Sequence, residues 1–310
     1  MARTRFAPDR GLTARMGLTM FLLGLVLVAF VLAMVLIAAR FPANAGAIVI
    51  IGVLIAGGMT IGSLFYSDKI ALTAARARLV SPQEAPELHG IIDRLCALAD
   101  MPKPRVAISE TDMPNAFATG RNTKSAVVCV TTGLLRRLDP SEQEAVIAHE
   151  MSHVAHKDVV VMTIASFLAI VAGLMVRFAF YGELFGGGRG RRDNNQNMAI
   201  VMLAIMAVSI VVYAVSFLLI RALSRYRELA ADRSGALLTG RPSALASALQ
   251  KVDGVMARIP TRDLRAAESL NAFYFVPALT KGGLSGLFST HPPLQKRLAQ
   301  LAQISQQIGR

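Results

Sequence analysis

The chain has 310 residues, 54% of them hydrophobic and 17% charged, with a mean hydropathy of +0.49 and a formal net charge of +13. That apolar excess excludes an ordinary soluble domain and places part of the chain in lipid. The basic excess fits Lys and Arg gathered at the cytoplasmic ends of membrane spans, and no aromatic-studded basic motif points to a nucleic acid as partner.

From the N-terminus, uncharged apolar runs at about 16–39 and 45–66 predict two membrane helices. The first is too long for the apolar core of a signal peptide, and a second span follows almost at once, so it reads as retained. A polar stretch follows. Its pattern predicts a helix near 84–99, strands near 104–109 and 125–131 flanking an extended stretch at 115–119, and a helix from 140. A third apolar run follows Asp158 to about Phe180, interrupted by Arg177, and a fourth runs from Met198 to Ile220. Helices are then expected at 222–239, 242–257 and 294–307, the last opened by Pro292 and Pro293. Cys96 and Cys129 have no CxxC neighbour, make no disulfide framework and read as buried thiols.

The expected fold class is therefore α+β, mostly helical, with four transmembrane helices. An N-terminal membrane hairpin (1–66) precedes a polar domain in two pieces (67–157 and 222–310), and a second hairpin (158–221) is inserted between them. Arg3, Arg5, Arg10 and Arg15 before the first span, Lys69, Arg76 and Arg78 after the second, and Arg221, Arg225 and Arg227 after the fourth all fall on one side, which is expected to be the cytoplasm. Arg189, Arg191 and Arg192, beside the Gly186–Gly188 run, disagree with that orientation. They leave open a third and fourth segment partly buried against the domain. The loop itself reads as solvated rather than as an anion-binding patch.

The helix from 140 starts sharply. Asp139 suits the N-cap, Pro140 the first turn, and Glu142 completes a capping box. Downstream, His149 and His153 stand four residues apart on one helix face, where two imidazoles can share one Zn²⁺ at ~2.0–2.1 Å. Glu150 between them can reach the water that such a metal activates. The motif is short enough to arise by chance, but apolar Val146, Ala148 and Val154 suit a buried helix better than a solvated one. A catalytic zinc needs a third protein ligand and an open position. His156 lies seven residues past His149, a rise of ~10.5 Å in a straight helix, so it reads as a helix-end residue. Glu228 is the better candidate, with Asp232 one turn on to fix a ligand imidazole. His153 precedes the third run by five residues and Glu228 follows Arg221 by seven, so both are expected within ~7–11 Å of the same membrane face.

Taken together, Met113-Pro114-Asn115-Ala116-Phe117-Ala118-Thr119-Gly120, His149-Glu150-Met151-Ser152-His153, Ser224-Arg225-Tyr226-Arg227-Glu228 with Asp232, and Ser289-Thr290-His291-Pro292-Pro293 resemble the HtpX-like membrane zinc metallopeptidases. These belong to the gluzincin type, which pairs HExxH with a downstream glutamate. The resemblance spans nearly the whole chain. It implies an integral membrane metalloendopeptidase of the inner or plasma membrane, with a cytosolic zincin-like domain and one Zn²⁺ per chain. Protein or peptide substrates, quality control of damaged membrane proteins and stress responses are implied with it. Asn115, Ala116 and Phe117 look like the family's substrate-binding edge strand. His291 is a donor to the tetrahedral oxyanion or a substrate contact, with a helix N-cap as the competing reading, and Tyr226 is a weaker donor candidate. Oligomeric state, natural substrate and cleavage preference are not legible. Among other function classes, a scaffold has no use for Glu150, and a transport path would need more ionisable groups in the spans than Arg177.

Overall fold

The computed structural model describes residues 10–40, 44–186, 192–258 and 291–309. The glycine- and arginine-bearing loop at 187–191 and the Ser289-Thr290 part of the last motif lie outside them. The chain is mostly helical. In order come α1 (Arg10–Arg40), α2 (Asn44–Ala74), β1 (Ala77–Leu79), α3 (Pro86–Ala99), β2 (Arg105–Ser109), β3 (Ala116–Thr119), β4 (Val127–Thr131), α4 (Thr132–Arg137), α5 (Pro140–Ala155), α6 (Asp158–Gly186), α7 (Arg192–Thr239), α8 (Pro242–Met256) and α9 (Leu294–Ile308).

Two compact units emerge, one of them Gly17–Ser63 with Met162–Leu223. Its core joins Phe30, Met34, Ala56, Leu168, Val171, Met175, Val201 and Ile205. Tyr213 lies beside Gly173, where an added Cβ would make only ordinary van der Waals contact with the ring, at 3.6 Å. Large apolar side chains also face outward, among them Phe21, Leu25, Leu32, Leu54, Ile200 and Val211. So much exposed hydrocarbon suits a lipid surround rather than water. Among the described residues, three helical stretches are long and apolar enough to cross a membrane: Arg10–Ile37, Asp158–Phe180 and Ile200–Thr239. The second apolar run also forms a helix, α2, of 31 residues.

The other unit holds Met1–Met16, Leu64–Val161 and Ser224–Arg310. Its sheet has strand order β1-β2-β4-β3, with β2 and β4 parallel and both outer strands antiparallel to their neighbours. The core forms where α3, α5 and α8 bring Ile92, Leu95, Val146, Ile147, Met151, Leu245 and Leu249 together with Val128 and Val130 of β4. The α5 helix begins with the expected capping box: Asp139 accepts from Ser141 and Glu142, and Glu142 accepts from the Asp139 N–H at 3.0 Å. Buried Glu142 also accepts from Ser247 (2.6 Å) and meets Lys251 (2.6 Å), and Glu144 meets Arg94 (2.8 Å). These partners let α5 bury its polar side as well as its apolar one.

One boundary differs from the sequence reading. Residues 222–239 are not a separate helix but the end of α7, which runs unbroken for 48 residues, about 72 Å at 1.5 Å per residue. No proline interrupts it, and it stops only where Gly240 turns to φ +65 before Pro242. A break between α5 and α6 does exist without a glycine: Lys157 takes φ +56 just after His156, which caps α5.

Candidate metal centre

Five elements build the site, α6 among them through its first residue, Asp158. The α5 helix carries His149, Glu150 and His153; α7 carries Arg227, Glu228 and Asp232; β3 borders it; and His291 with Arg297 come from α9 and the residues before it. Close approach of α7 to α5 depends on Gly235. A Cβ there would lie 2.9 Å from the His149 backbone nitrogen and 3.1 Å from its Cα. Only a bare Cα lets α7 lie this near to the first imidazole.

The two imidazoles present Nε2 atoms 3.2 Å apart, their rings nearly perpendicular at 87°. Glu228 closes the group, with Oε2 3.7 Å from His149 Nε2 and Oε1 3.5 Å from His153 Nε2. One ligand atom from each of the three lies within 4.8 Å of the others, and His149 and Glu228 are buried. The spacing is that of a coordination shell: ligands ~2.0–2.1 Å from a tetrahedral ion stand about 3.3–3.4 Å from one another. The opposite ring faces support the same use. His149 Nδ1 lies 3.0 Å from Asp232 Oδ1, and His153 Nδ1 lies 2.6 Å from Asp158 Oδ2. A carboxylate on each Nδ1 draws the proton there and leaves both Nε2 lone pairs facing inward. Two lone pairs 3.2 Å apart repel unless a cation stands between them, so the donor set fits a metal ion.

Cations and a third histidine hold the acidic members. Arg297, 2% exposed, grips Asp232 in two bonds of 2.7 and 2.6 Å and reaches Glu228 Oε2 at 3.9 Å. His291 Nδ1 lies 2.9 Å from Glu228 Oε2. Burial works against the Arg297 charge, but Asp232 and Glu228 outweigh it and hold the guanidinium pKa above its usual range. Burial pushes the His149 imidazole pKa below its ordinary value, with Asp232 pulling the other way, and a neutral ring is the form that binds metal. The Glu150 carboxyl rises to about 8, above all because it is buried, with His153 opposing. Its Oε2 accepts the Ala118 N–H at 3.1 Å, so α5 and β3 meet at this carboxylate.

His149, His153, Glu228, Glu150, Asp232 and His291 are thus brought together. His291 is not the N-cap of α9, a position that Pro293 occupies. His156 is exposed at the end of α5, and Tyr226 has the Arg15 guanidinium 6.0 Å from its ring centroid. In the expected edge strand, Asn115 and Thr131 exchange hydrogen bonds of 2.9 Å, so the Asn115 backbone faces β4, and Phe117 shares that direction two residues on. The Phe117 ring packs with Ala71, Val127 and Cys129, which leaves the backbones of Ala116 and Ala118 turned outward. Sequence reasoning missed Asp158, Arg227, Gly235 and Arg297. Asp158 reads only as the start of an apolar run, Arg227 only as an orientation signal and a member of the Ser224–Glu228 motif, and neither Arg297 nor Gly235 stands out without its neighbours in space.

A family model described as peptidase family M48 matches residues 82–305. The chain belongs to peptidase family M48. Curated relatives agree with the M48 assignment. Protease HtpX homolog 1 of Streptomyces coelicolor is 60% identical over 99% of this chain and 97% of its own, and the Protease HtpX homolog of Moorella thermoacetica is 52% identical over 99% and 98%. Among solved structures, that of S. mikatae Ste24p matches in fold, with a TM-score of 0.52 at 18% identity, over 94% of this chain and 66% of that longer one. With its apolar helices, this M48 peptidase is a multi-pass, membrane-associated metalloprotease, a hydrolase of peptide bonds that uses a metal ion.

Proposed function

We propose that the chain is a zinc metalloendopeptidase of the plasma membrane, crossing it four times and cleaving peptide bonds on the cytoplasmic side. The observation that carries this reading is the convergence of His149, His153 and Glu228 with Glu150 beside them. Two imidazoles and a carboxylate at tetrahedral spacing suit zinc and leave a fourth position open. Bound there, zinc would supply a Lewis acid for the scissile carbonyl and make water nucleophilic near neutral pH.

The protein's own groups do the rest. Asp232 holds His149 in the tautomer that offers Nε2. An extended substrate pairs with the outward N–H and C=O groups of Ala116 and Ala118 as an added strand, which refines the expected Asn115–Phe117 contact. That pairing frees Glu150 from the Ala118 N–H. Glu150 then accepts the proton of the attacking water and delivers it to the leaving amine, as general base and then acid. A cation between the Nε2 atoms would draw the raised Glu150 pKa back down. His291, beside Glu228, keeps that carboxylate in place and is the nearest histidine able to donate to the developing oxyanion. Damaged membrane proteins are the substrate class proposed, with quality control as the role.

Zinc content and casein cleavage of detergent-purified wild type beside Glu150→Gln test this reading. The variant keeps its zinc and loses cleavage by 10³-fold or more, on the order expected when a general base acts in both proton transfers. Cleavage near wild type in Glu150→Gln would refute the assignment.

A further inference from the structure

His149 and His153 are served by matching devices. Behind His149 stands Asp232, and behind Asp232 stands Arg297. Behind His153 stands Asp158, whose Oδ2 takes the ring at 2.6 Å, while its other oxygen meets the Arg227 guanidinium. Asp158 and Arg227 are 8% and 7% exposed, so this pair is buried like its counterpart. As the first residue of α6, Asp158 could simply have complemented the positive end of that helix. Instead both of its oxygens are committed, one to the imidazole and one to the arginine.

We propose that Asp158 is a positioning residue for His153 and that Arg227 holds Asp158 in that role. The inference rests on reading His153 as a metal ligand. Asp158 fixes which nitrogen carries the proton and at what angle Nε2 is presented. Arg227 neutralises the buried carboxylate and keeps it from swinging away. Asp158 opens α6 and Arg227 lies on α7, so the second imidazole is set correctly only when the outgoing and returning ends of the inserted segment are joined.

The test measures zinc affinity by chelator competition, and the visible spectrum of cobalt-substituted protein, in full-length Glu150→Gln protein carrying further substitutions. Asp158→Ala is expected to weaken zinc binding by roughly 10–100-fold, the usual cost of removing a partner of a ligating histidine, and to shift the cobalt bands. Asp158→Asn, whose amide oxygen still accepts from Nδ1–H, restores most of the affinity. Arg227→Leu gives part of the loss, and the double variant Arg227→Leu/Asp158→Ala loses no more than Asp158→Ala alone. Wild-type zinc affinity and cobalt spectrum in Asp158→Ala, with only the thermal midpoint of metal-free protein lowered, would reduce the pair to a staple and overturn the proposal. Fully additive losses would remove Arg227 from it. If Asp158→Ala does not fold, Asp158→Ser is read by the same outcomes. His153→Ala separates the two layers: zinc retained there sinks the ligand assignment itself, whereas zinc lost there but kept in Asp158→Ala sinks only this inference.

Discussion

Gly235→Ala adds one methyl group at the place where α7 crosses α5. The new Cβ would sit 2.9 Å from the His149 nitrogen and 3.1 Å from its Cα, against backbone that cannot rotate away. Ordinary carbon contacts are ~3.5–4.0 Å, so α7 must retreat by roughly 0.5–1 Å. Overpacking of this kind costs about 1–3 kcal/mol, partly offset by the ~0.8–1 kcal/mol that alanine gains over glycine within a helix. The net loss is then about 0–2 kcal/mol of stability. The larger effect falls on the metal, because Glu228 and Asp232 ride on the displaced helix while His149 does not. A functional constellation tolerates about 0.5 Å of misplacement, so zinc affinity should drop by at least tenfold. Gly90→Ala is the control: α3 leaves open space around that position, and the same substitution should stabilise by about 0.5–1 kcal/mol without touching zinc. Chelator competition and thermal denaturation of both variants measure the contrast. If Gly235→Ala binds zinc as tightly as Gly90→Ala and melts no lower, the close approach of the two helices has no functional weight.

Glu228→Ala should lose most bound zinc while the metal-free protein keeps its fold; metal analysis showing a full complement would move the third ligand elsewhere. Arg297→Met leaves Asp232 buried without its cation and should cost about 3–5 kcal/mol in denaturant unfolding, whereas Arg136→Met, whose partner Asp112 is exposed, should leave the unfolding midpoint nearly unchanged. Equal effects would refute the claim that the buried Asp232 depends on Arg297 for its stability.

The sequence made the ligand-bearing helix legible for local reasons. Asp139, Pro140 and Glu142 mark its start, and His149 and His153 share a face whatever the tertiary structure does. Glu228 could be found because a carboxylate was being sought after an apolar excursion. Asp158 and Arg227 were visible as residues but not as partners, since each had a sufficient local explanation, one as a helix start and the other as a basic flank. Arg297 was hidden by a different rule: a lone arginine on a short amphipathic helix is expected in water, and only Asp232 and Glu228 make its burial affordable. The strand β1, three residues long, and the six-residue α4 carry too little periodicity to be read at all. The join within α7 was missed because the shift from apolar to charged composition at Arg221 looks like a boundary, whereas helix geometry is indifferent to it so long as no glycine or proline intervenes.

Seventy-five positions separate His153 from Glu228, and that separation explains why the excursion is helical. Were it a flexible loop, bringing its ends together would cost about 4 kcal/mol or more in chain entropy, charged directly against metal affinity. Here α6 and α7 pack on each other through Leu168, Ala172, Met175, Val201 and Ile205, with Gly173 against Tyr213. Glu228 and Asp232 lie on the last part of α7, Gly235 lets that part lie against α5, and the Asp158–Arg227 pair ties the outgoing chain to the returning one. Metal binding therefore completes a site whose entropy has mostly been spent already. It follows that metal-free protein should keep the α5–α7 contact at Gly235, and amide exchange near His149 should slow little when zinc is added. Strong zinc-dependent protection there would mean that the metal, not the helical excursion, draws the ligands together.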